Sequence, residues 1–456
     1  MNIALHLKNA ILWQGDCREL SESKEKFHAL LCDPPYELGF MGKKWDKSGI
    51  AFQPETWASL ARHLHPGAFG MAFAAARGWH RLACAIEDAG MIIHPTIFGW
   101  AYGSGFPKAT RIDTAVDKAM GAEREKVRTS ISPHSTAGKG LSNEMDERLR
   151  LTEARKKGYH EHAGPIPITE TAKAWVGHRY GLQALKPALE PIIVFQKPYE
   201  EKAIESIVKT GAGALNIDRG RVRTIDELNR TGKFGGCFGN GGQILQSDKS
   251  LGRWPTNFIL MGEDAVRALD KQSGESISPV SRLRSPDGPA KVTFSLGRKD
   301  GIQIGHNDSG GASRFFFTVR NQLNKKDPVC YCSKTSSWER ETGCGDLPFH
   351  TPGEMTGGRE EGSAGLDNPR AGAGRTSGGR NLHPTLKPLD LTRYLATLLL
   401  PPDEYAPRRI LVPFAGAGSE MIGALQAGWD KAVGIELEAE YCQIAAARIK
   451  CFTILT

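Results

Sequence analysis

Both ends of the chain read as short apolar runs divided by polar or glycine-containing turns, and the middle does not. Ala10 to Trp13 predicts a short strand ending at Gly15-Asp16-Cys17. Phe27 to Cys32, apolar but for His28, predicts a strand buried on both faces. Thr56 to His65 predicts a helix stopped by Pro66-Gly67, and Ala68 to Ala74 a small-residue central strand. Arg77 to Ala89 predicts a helix capped by Gly90, and Met91 to Trp100 a further strand. This alternation predicts an α/β fold with a mostly parallel sheet and crossover helices.

The pattern breaks after Phe106. The stretch to Lys173 is polar and charged, with helical pieces at Asp113 to Met120 and Asn143 to Lys157. Leu185 to Lys197 predicts one more strand. Tyr199 to Arg320 offers short strand-like pieces, many glycines and dispersed Arg and Lys, and is expected to form a separate, irregular region. His350 to Asn381 is rich in Gly, Ser and Arg and too poor in large apolar residues to offset chain entropy, so a flexible linker is expected.

Periodicity returns at Leu389 to Leu400, a helix ended by Pro401-Pro402. A strand (Ile410 to Val412), a glycine loop, a helix (Ser419 to Ala427), a strand (Ala432 to Glu436) and a helix (Glu438 to Lys450) follow. Two strands do not make a stable doubly wound sheet. The two chain ends are therefore expected to complete one sheet. The division that follows is 1–198 for the first part of the sheet domain, with an insertion at about 107–180, then 199–349 for a separate region, 350–381 for the linker and 382–456 for the second part of the sheet domain.

With 456 residues, 40% of them hydrophobic, there is room for a large domain and a second region. The net charge of +8 is compatible with a polyanionic partner but does not identify one. Nine irregularly spaced cysteines argue against a secreted disulfide framework. No secretory leader is read at Met1 to Trp13 and no run approaches a membrane span, so cytoplasmic residence and no membrane partner are expected.

In the C-terminal part, Pro413-Phe414-Ala415-Gly416-Ala417-Gly418 joins a strand to a helix, and Glu436 closes the next strand. Such a turn brings backbone N–H groups close to a ligand, and an acidic residue about 20 positions on can hold ribose hydroxyls. Met421 stands where a dinucleotide fingerprint needs its third glycine, which argues against a pyrophosphate grip. A nucleoside ligand without phosphates needs only the close approach at Gly416 and Gly418. A structural turn with a helix-edge Glu is the plain alternative.

Asp33-Pro34-Pro35-Tyr36 follows the buried strand, where ligands of open α/β sheets collect. The prolines stiffen the turn and remove N–H donors, leaving the Pro34 carbonyl as a fixed acceptor. The Asp33 carboxylate and that carbonyl suit the two N–H groups of one exocyclic amine. Tyr36 offers a face for stacking a base, worth about 1–3 kcal/mol. The alternative is a proline-stiffened turn with a capping Asp.

With both motifs in place, the chain resembles the β-class DNA amino-methyltransferases, which modify adenine N6 or cytosine N4. The order of catalytic motif, intervening region and cofactor motif carries the resemblance. Gly252 to Leu260 (GRWPTNFIL) and Ser309 to Phe316 further resemble phage and prophage members. The resemblance implies a Rossmann-like S-adenosylmethionine-dependent methyltransferase sheet built from both chain ends, duplex DNA as partner and S-adenosyl-L-methionine as cofactor. It sets Asp33, Pro34 and Pro35 at the target amine and Tyr36 on an extruded base. It sets Asp16, Phe414, Gly416, Gly418 and Glu436 around the cofactor nucleoside, and Thr385 and Lys387 of His383-Pro384-Thr385-Leu386-Lys387-Pro388 at its methionine end. Relatives commonly carry Asp or Asn where this chain has Val412, and small hydroxylated residues around Ala417 and Ser419-Glu420.

The resemblance implies adenine-N6 methylation, as in restriction-modification. Cytosine-N4 transfer, methylation of RNA or a protein amide, and a catalytically silent DNA-binding protein are the alternatives. The chemistry needs no metal. Cys330, Cys332, Cys344 and His350 form C-x-C-x11-C-x5-H, which matches no standard zinc knuckle. Arg219, Arg221 and Arg223, Arg282 and Arg284, and Lys325-Lys326 can contact phosphates, with a solvated face as the plain reading. Trp45 and Trp254 suit base stacking or core packing equally. His134 and His160-Glu161-His162 read as solvated surface.

Overall fold

The structure is a computed structural model that describes residues 1–39, 44–102, 107–130, 159–221, 254–260, 263–277, 309–312, 316–318, 335–355 and 378–454. Asn143 to Lys157, His134, Arg223, Arg282, Arg284, Lys325-Lys326, Cys330, Cys332 and most of the 350–381 stretch lie outside them. Along the chain the strands are β1 (Asn2–His6), β2 (Ala10–Gln14), β3 (Phe27–Cys32), β4 (Leu64–Phe73), β5 (Ile92–Ile93), β6 (Phe98–Ala101), β7 (Lys108–Arg111), β8 (Lys126–Ser130) and β9 (Tyr159–Ala163). They continue as β10 (Arg179–Gln183), β11 (Leu189–Gln196), β12 (Phe258–Leu260), β13 (Ser276–Ile277), β14 (Ser309–Gly310), β15 (Phe317–Thr318), β16 (Arg409–Val412) and β17 (Lys431–Glu436).

The main sheet runs β1-β2-β17-β16-β3-β4-β11-β6-β12-β15, with β5 also on β11. Strands β2, β17, β16, β3 and β4 are mutually parallel. Strand β11 is antiparallel to both β4 and β6. The C-terminal strands therefore sit inside the N-terminal set: β16 pairs with β3 on one side and β17 with β2 on the other. One sheet is completed by both ends of the chain, as strand counting predicts.

Alternation explains why β3 and β16 read as continuous apolar runs. Ala29, Leu31, Ile410 and Val412 face one core, shared with the helices Leu389–Leu399 and Ser419–Ala427. Leu30, Cys32 and Leu411 face the other, shared with the helices Pro54–Ala61 and Trp79–Asp88. With helices on both faces, no position along these strands is free to be polar.

Three expectations are corrected. Pro66-Gly67 does not stop a helix: the helix ends at Ala61 and β4 starts at Leu64, running through both residues. The β3–β4 register shifts between Phe27 and Ala29, and the Gly67 N–H turns to Lys197 O at 3.1 Å. Gly67 takes φ +81°, so this is a bulge rather than a break. Met91 to Trp100 forms two pieces, β5 and β6, divided around Pro95, and both pair with β11. The described residues of the Tyr199 to Arg320 stretch are not all separate from the sheet, because β12 pairs with β6 and β15 with β12 at its far edge.

Between β6 and β11 the chain leaves the sheet to build a small wing. It contains the ribbons β7·β10 and β8·β9 and the helices Ile112–Ala119 and Glu170–Ala174. Arg124 is buried and joins the wing, pairing with Asp113 at 3.1 Å and Asp117 at 2.6 Å. Asp117 also accepts from the N–H groups of Ile168 and Thr169, each at 3.0 Å.

Candidate active site

Parallel strands deliver their C-terminal ends to one edge, and the motif residues meet there. Asp33 follows β3 directly, and Pro413-Phe414 follows its neighbour β16. Glu436 ends β17, and Asp16 follows β2 on the adjoining strand, where Gln14 lies opposite Glu436. The Gly15 N–H donates to the Glu436 carbonyl at 2.9 Å, fixing these two ends together.

The glycine loop is shaped by positive φ angles at Gly416 (+51°) and Gly418 (+81°), a conformation that suits residues without Cβ. A Cβ on Gly416 would lie 2.8 Å from His383 Nε2. The Gly416 N–H donates to Glu436 Oε2 at 2.7 Å, and the Glu438 N–H donates to Oε1 at 2.9 Å. Burial pushes the Glu436 carboxyl up to about 7, against the pull of these N–H donors. Arg448, fully buried, donates to the Ala417 carbonyl and to Ser419 Oγ at 3.3 Å, holding the far side of the loop.

An aromatic wall flanks the loop. The His383 ring stacks on Trp45 with centroids 6.4 Å apart and meets Tyr441 edge-on at 4.6 Å. His383 Nδ1 donates to the Thr385 carbonyl, and the Thr385 residue itself is exposed. Phe414 packs on the opposite face of the sheet, 6.4 Å from Trp57. Asp16 caps the short turn after β2 and pairs with Arg18 at 2.6 Å, which holds its carboxyl below the usual range. Trp45 is thus part of this wall, whereas Trp254 is 60% exposed with the Arg221 guanidinium 4.8 Å from its ring.

The Asp33-Pro34-Pro35-Tyr36 segment is organised by a lysine from the other end of the chain. Lys387 Nζ donates to Asp33 Oδ2 at 2.7 Å and to the Tyr36 hydroxyl at 2.9 Å, and pairs with Glu190 Oε1 at 3.1 Å. The Tyr36 hydroxyl in turn donates to Glu190. Burial works against the Lys387 charge, but Asp33 and Glu190 outweigh it and hold the ammonium above its ordinary range. An ammonium has three N–H groups, and three acceptors already surround this one. Lys387 therefore faces the Asp33-Pro34-Pro35-Tyr36 segment, its three N–H groups matched by three acceptors.

Asp33 Oδ1 is buried and has no hydrogen-bond partner among the described residues, so one oxygen is anchored and the other waits for a donor. Glu420, on the first turn after the glycine loop, is only 3% exposed, and its Oε1 also lacks a partner among them. Burial pushes its carboxyl up to about 8, with Asp33 adding to the rise. Sequence reasoning missed Glu190 and Glu420. A carboxylate before Pro191 at the mouth of a strand buried from Pro191 onwards, and one inside an apolar helix face, were the available signals. Among the described residues no cluster of His, Cys, Asp or Glu is arranged to hold a metal.

Comparison with known proteins finds no matching family model and no matching curated protein. Among solved structures, the chain is similar to the cytosine-N4-specific PvuII DNA methyltransferase, at 11% identity and a TM-score of 0.39, covering 99% of this chain and 93% of that one. It is similar to M1.HpyAVI, solved as its SAM complex, at 12% identity and a TM-score of 0.33, covering 96% and 98%. It is also similar to TTHA0409 of Thermus thermophilus, solved with S-adenosyl-L-methionine, at 12% and 0.33, covering 97% and 95%. Likenesses this distant leave the chemistry to be argued from the site itself.

Proposed function

We propose that this protein is a DNA methyltransferase that moves a methyl group from S-adenosylmethionine to an exocyclic base amine, N6 of adenine. One observation carries the reading: Asp33 and the glycine loop leave adjacent parallel strands at the same edge, with one Asp33 oxygen anchored and the other unpartnered among the described residues. That oxygen accepts one N–H of the amine, and the Pro34 carbonyl accepts the other. The amine lone pair is thereby localised and aimed, which is catalysis by positioning and electrostatics. Lys387 anchors the Asp33 carboxylate so that it cannot turn away. Tyr36 presents its ring to the extruded base while Lys387 and Glu190 fix its hydroxyl.

The residues fit the donor. The loop at Gly416 has no room for a side chain, Glu436 keeps a buried carboxylate beside it, and His383, Trp45 and Tyr441 supply flat apolar surface. S-adenosylmethionine supplies an electrophilic methyl on a sulfonium sulfur that leaves as a thioether. Asp16, Phe414, Gly416, Gly418 and Glu436 are the residues we assign to its nucleoside, and Thr385 to its methionine end. We assign residues 1–198 and 382–456 to catalysis and cofactor binding, and 199–349 to target recognition. Extruding the base costs a few kcal/mol, about the scale of a stacking platform such as Tyr36.

The experiment is nucleoside mass analysis of duplex DNA incubated with the protein and isotopically labelled S-adenosylmethionine. Labelled N6-methyladenine is the expected product, and Asp33→Ala should abolish it while cofactor binding by calorimetry stays nearly intact. Labelled N4-methylcytosine would keep the mechanism and change the base. Label in RNA or protein alone, or full activity of Asp33→Ala, would overturn the reading.

A further inference from the structure

The wing carries a feature that catalysis does not use. The ribbon β7·β10 is open to solvent over nearly its whole outer strand, every residue from Lys173 to Lys186 being exposed. Leu182 is 90% exposed and Leu185 86%, far beyond what an ordinary surface leucine needs. Arg179 lies directly opposite Arg111 across the ribbon, a like-charge cross-strand pair that destabilises an isolated ribbon. Arg111 is neutralised by Asp113 at 2.5 Å, whereas Arg179 and Lys186 form no ion pair among the described residues. Gly181, at φ +132°, bends the strand where the register shifts between Tyr180 and Gln183.

The ribbon is also rooted at the active site. Its two connections to the sheet are the end of β6 and the start of β11, where Tyr102 N–H donates to Ala188 O at 3.0 Å. The residue after Leu189 is Glu190, which binds Tyr36 and Lys387. The root of the ribbon therefore lies two residues from a partner of Tyr36 and Lys387. Two exposed cations, an exposed tyrosine and two exposed leucines on β10 and the residues just after it suit a polyanion with apolar edges, and the major groove admits such a ribbon.

We infer that the β7·β10 ribbon is a duplex-DNA contact that grips the strand beside the extruded base, with Arg179 and Lys186 on phosphates and Leu182 and Leu185 against base or sugar edges. This rests on the proposed DNA methyltransferase reading and adds to it a contact surface outside the 199–349 stretch.

The test is equilibrium binding of the full chain to a labelled DNA duplex across a salt series, with the Arg179→Gln/Lys186→Gln double variant. A control, Lys8→Gln/Lys24→Gln, removes the same charge from exposed residues at the opposite edge, before β2 and β3. Loss of two phosphate contacts should flatten the slope of log affinity against log salt by about 1.8, at about 0.9 per contact. The control should leave that slope unchanged, and S-adenosylmethionine binding by calorimetry should match the unmodified protein in both variants. Equal slopes for the ribbon and control variants, or a ribbon variant that binds like the unmodified protein, would overturn the ribbon assignment alone. No duplex binding by the unmodified protein, or a preference for RNA, would overturn it together with the DNA reading.

Discussion

Lys387 Nζ lies 2.7 Å from Asp33 Oδ2, joining residues 354 positions apart in the chain. Both side chains are largely buried, at 6% and 15% exposure, so the pair is shielded from bulk water. Burying a carboxylate is costly unless it is paired and hydrogen-bonded. Here the paired cation also holds Tyr36 and Glu190, so one ammonium sets the geometry of the whole motif.

Replacing Lys387 with Met should therefore be costly in two ways. Removing one partner of a buried pair destabilises by about 3–5 kcal/mol, which a denaturant titration reads. Asp33 and Tyr36, left without the ammonium that anchors both, should also lose their fixed positions. Mispositioning should lower kcat by about 100-fold. A variant with unchanged stability and normal kcat would remove Lys387 from the mechanism.

Glu190→Gln tests the residue that the sequence pattern hides. Glutamine keeps an acceptor for the Tyr36 hydroxyl but loses the charge that helps hold Lys387. Hydrogen bonds to charged groups are worth about 1.5–3 kcal/mol, so kcat should fall about tenfold or more. Cofactor affinity, measured by calorimetry, should be unchanged, because Glu190 touches the catalytic motif and not the glycine loop. An unchanged kcat with a weakened cofactor would reverse that assignment.

The difference between what is readable in the sequence and what is not is one of locality. Strand β3 and the helix Ser419–Ala427 fall at their expected residues because a buried strand and a capped helix are written in contiguous positions. The joining of the two chain ends follows from strand counting. The partner of Lys387 does not, because nothing local tells a lysine which acceptors it will meet. Pro66-Gly67 misleads for a related reason: a bulge looks like a stop until the neighbouring strand is known to supply the Gly67 hydrogen bond. Strands β12 and β15 escape notice as parts of the sheet because three and two residues are too few for a pattern to register.

Gly416→Ala probes the loop directly. A left-handed residue with a Cβ costs roughly 1–2 kcal/mol, and this Cβ would also meet the His383 ring at 2.8 Å. The ring is braced by Trp45 and Tyr441, so the loop should move rather than the histidine. S-adenosylmethionine affinity should drop about tenfold, the equivalent of roughly 1.4 kcal/mol, with a modest loss of melting temperature. Unaltered affinity would mean that the nucleoside is held elsewhere.

Glu420 makes the stability of the protein depend on pH in an uncommon direction. Its carboxyl ionises near 4.5 in an ordinary setting and is pushed up to about 8 by burial in the fold. A folded carboxyl with a raised pKa binds its proton more tightly than the unfolded chain does. Its contribution is thus fully present below about pH 4.5 and is lost as pH rises towards 8. His28, pushed down to about 4 by burial, contributes in the opposite sense: its share is present above its ordinary 6.5 and is lost as pH falls through 4. The two are separated by the Glu420→Gln variant, which keeps the shape and stays neutral at every pH. Melting temperatures between about pH 5 and about pH 8.5 should fall more steeply in the unmodified protein than in the variant, so that the variant gains relative stability at the alkaline end. Parallel curves would show that Glu420 finds a partner on folding and does not remain a buried acid beside Asp33.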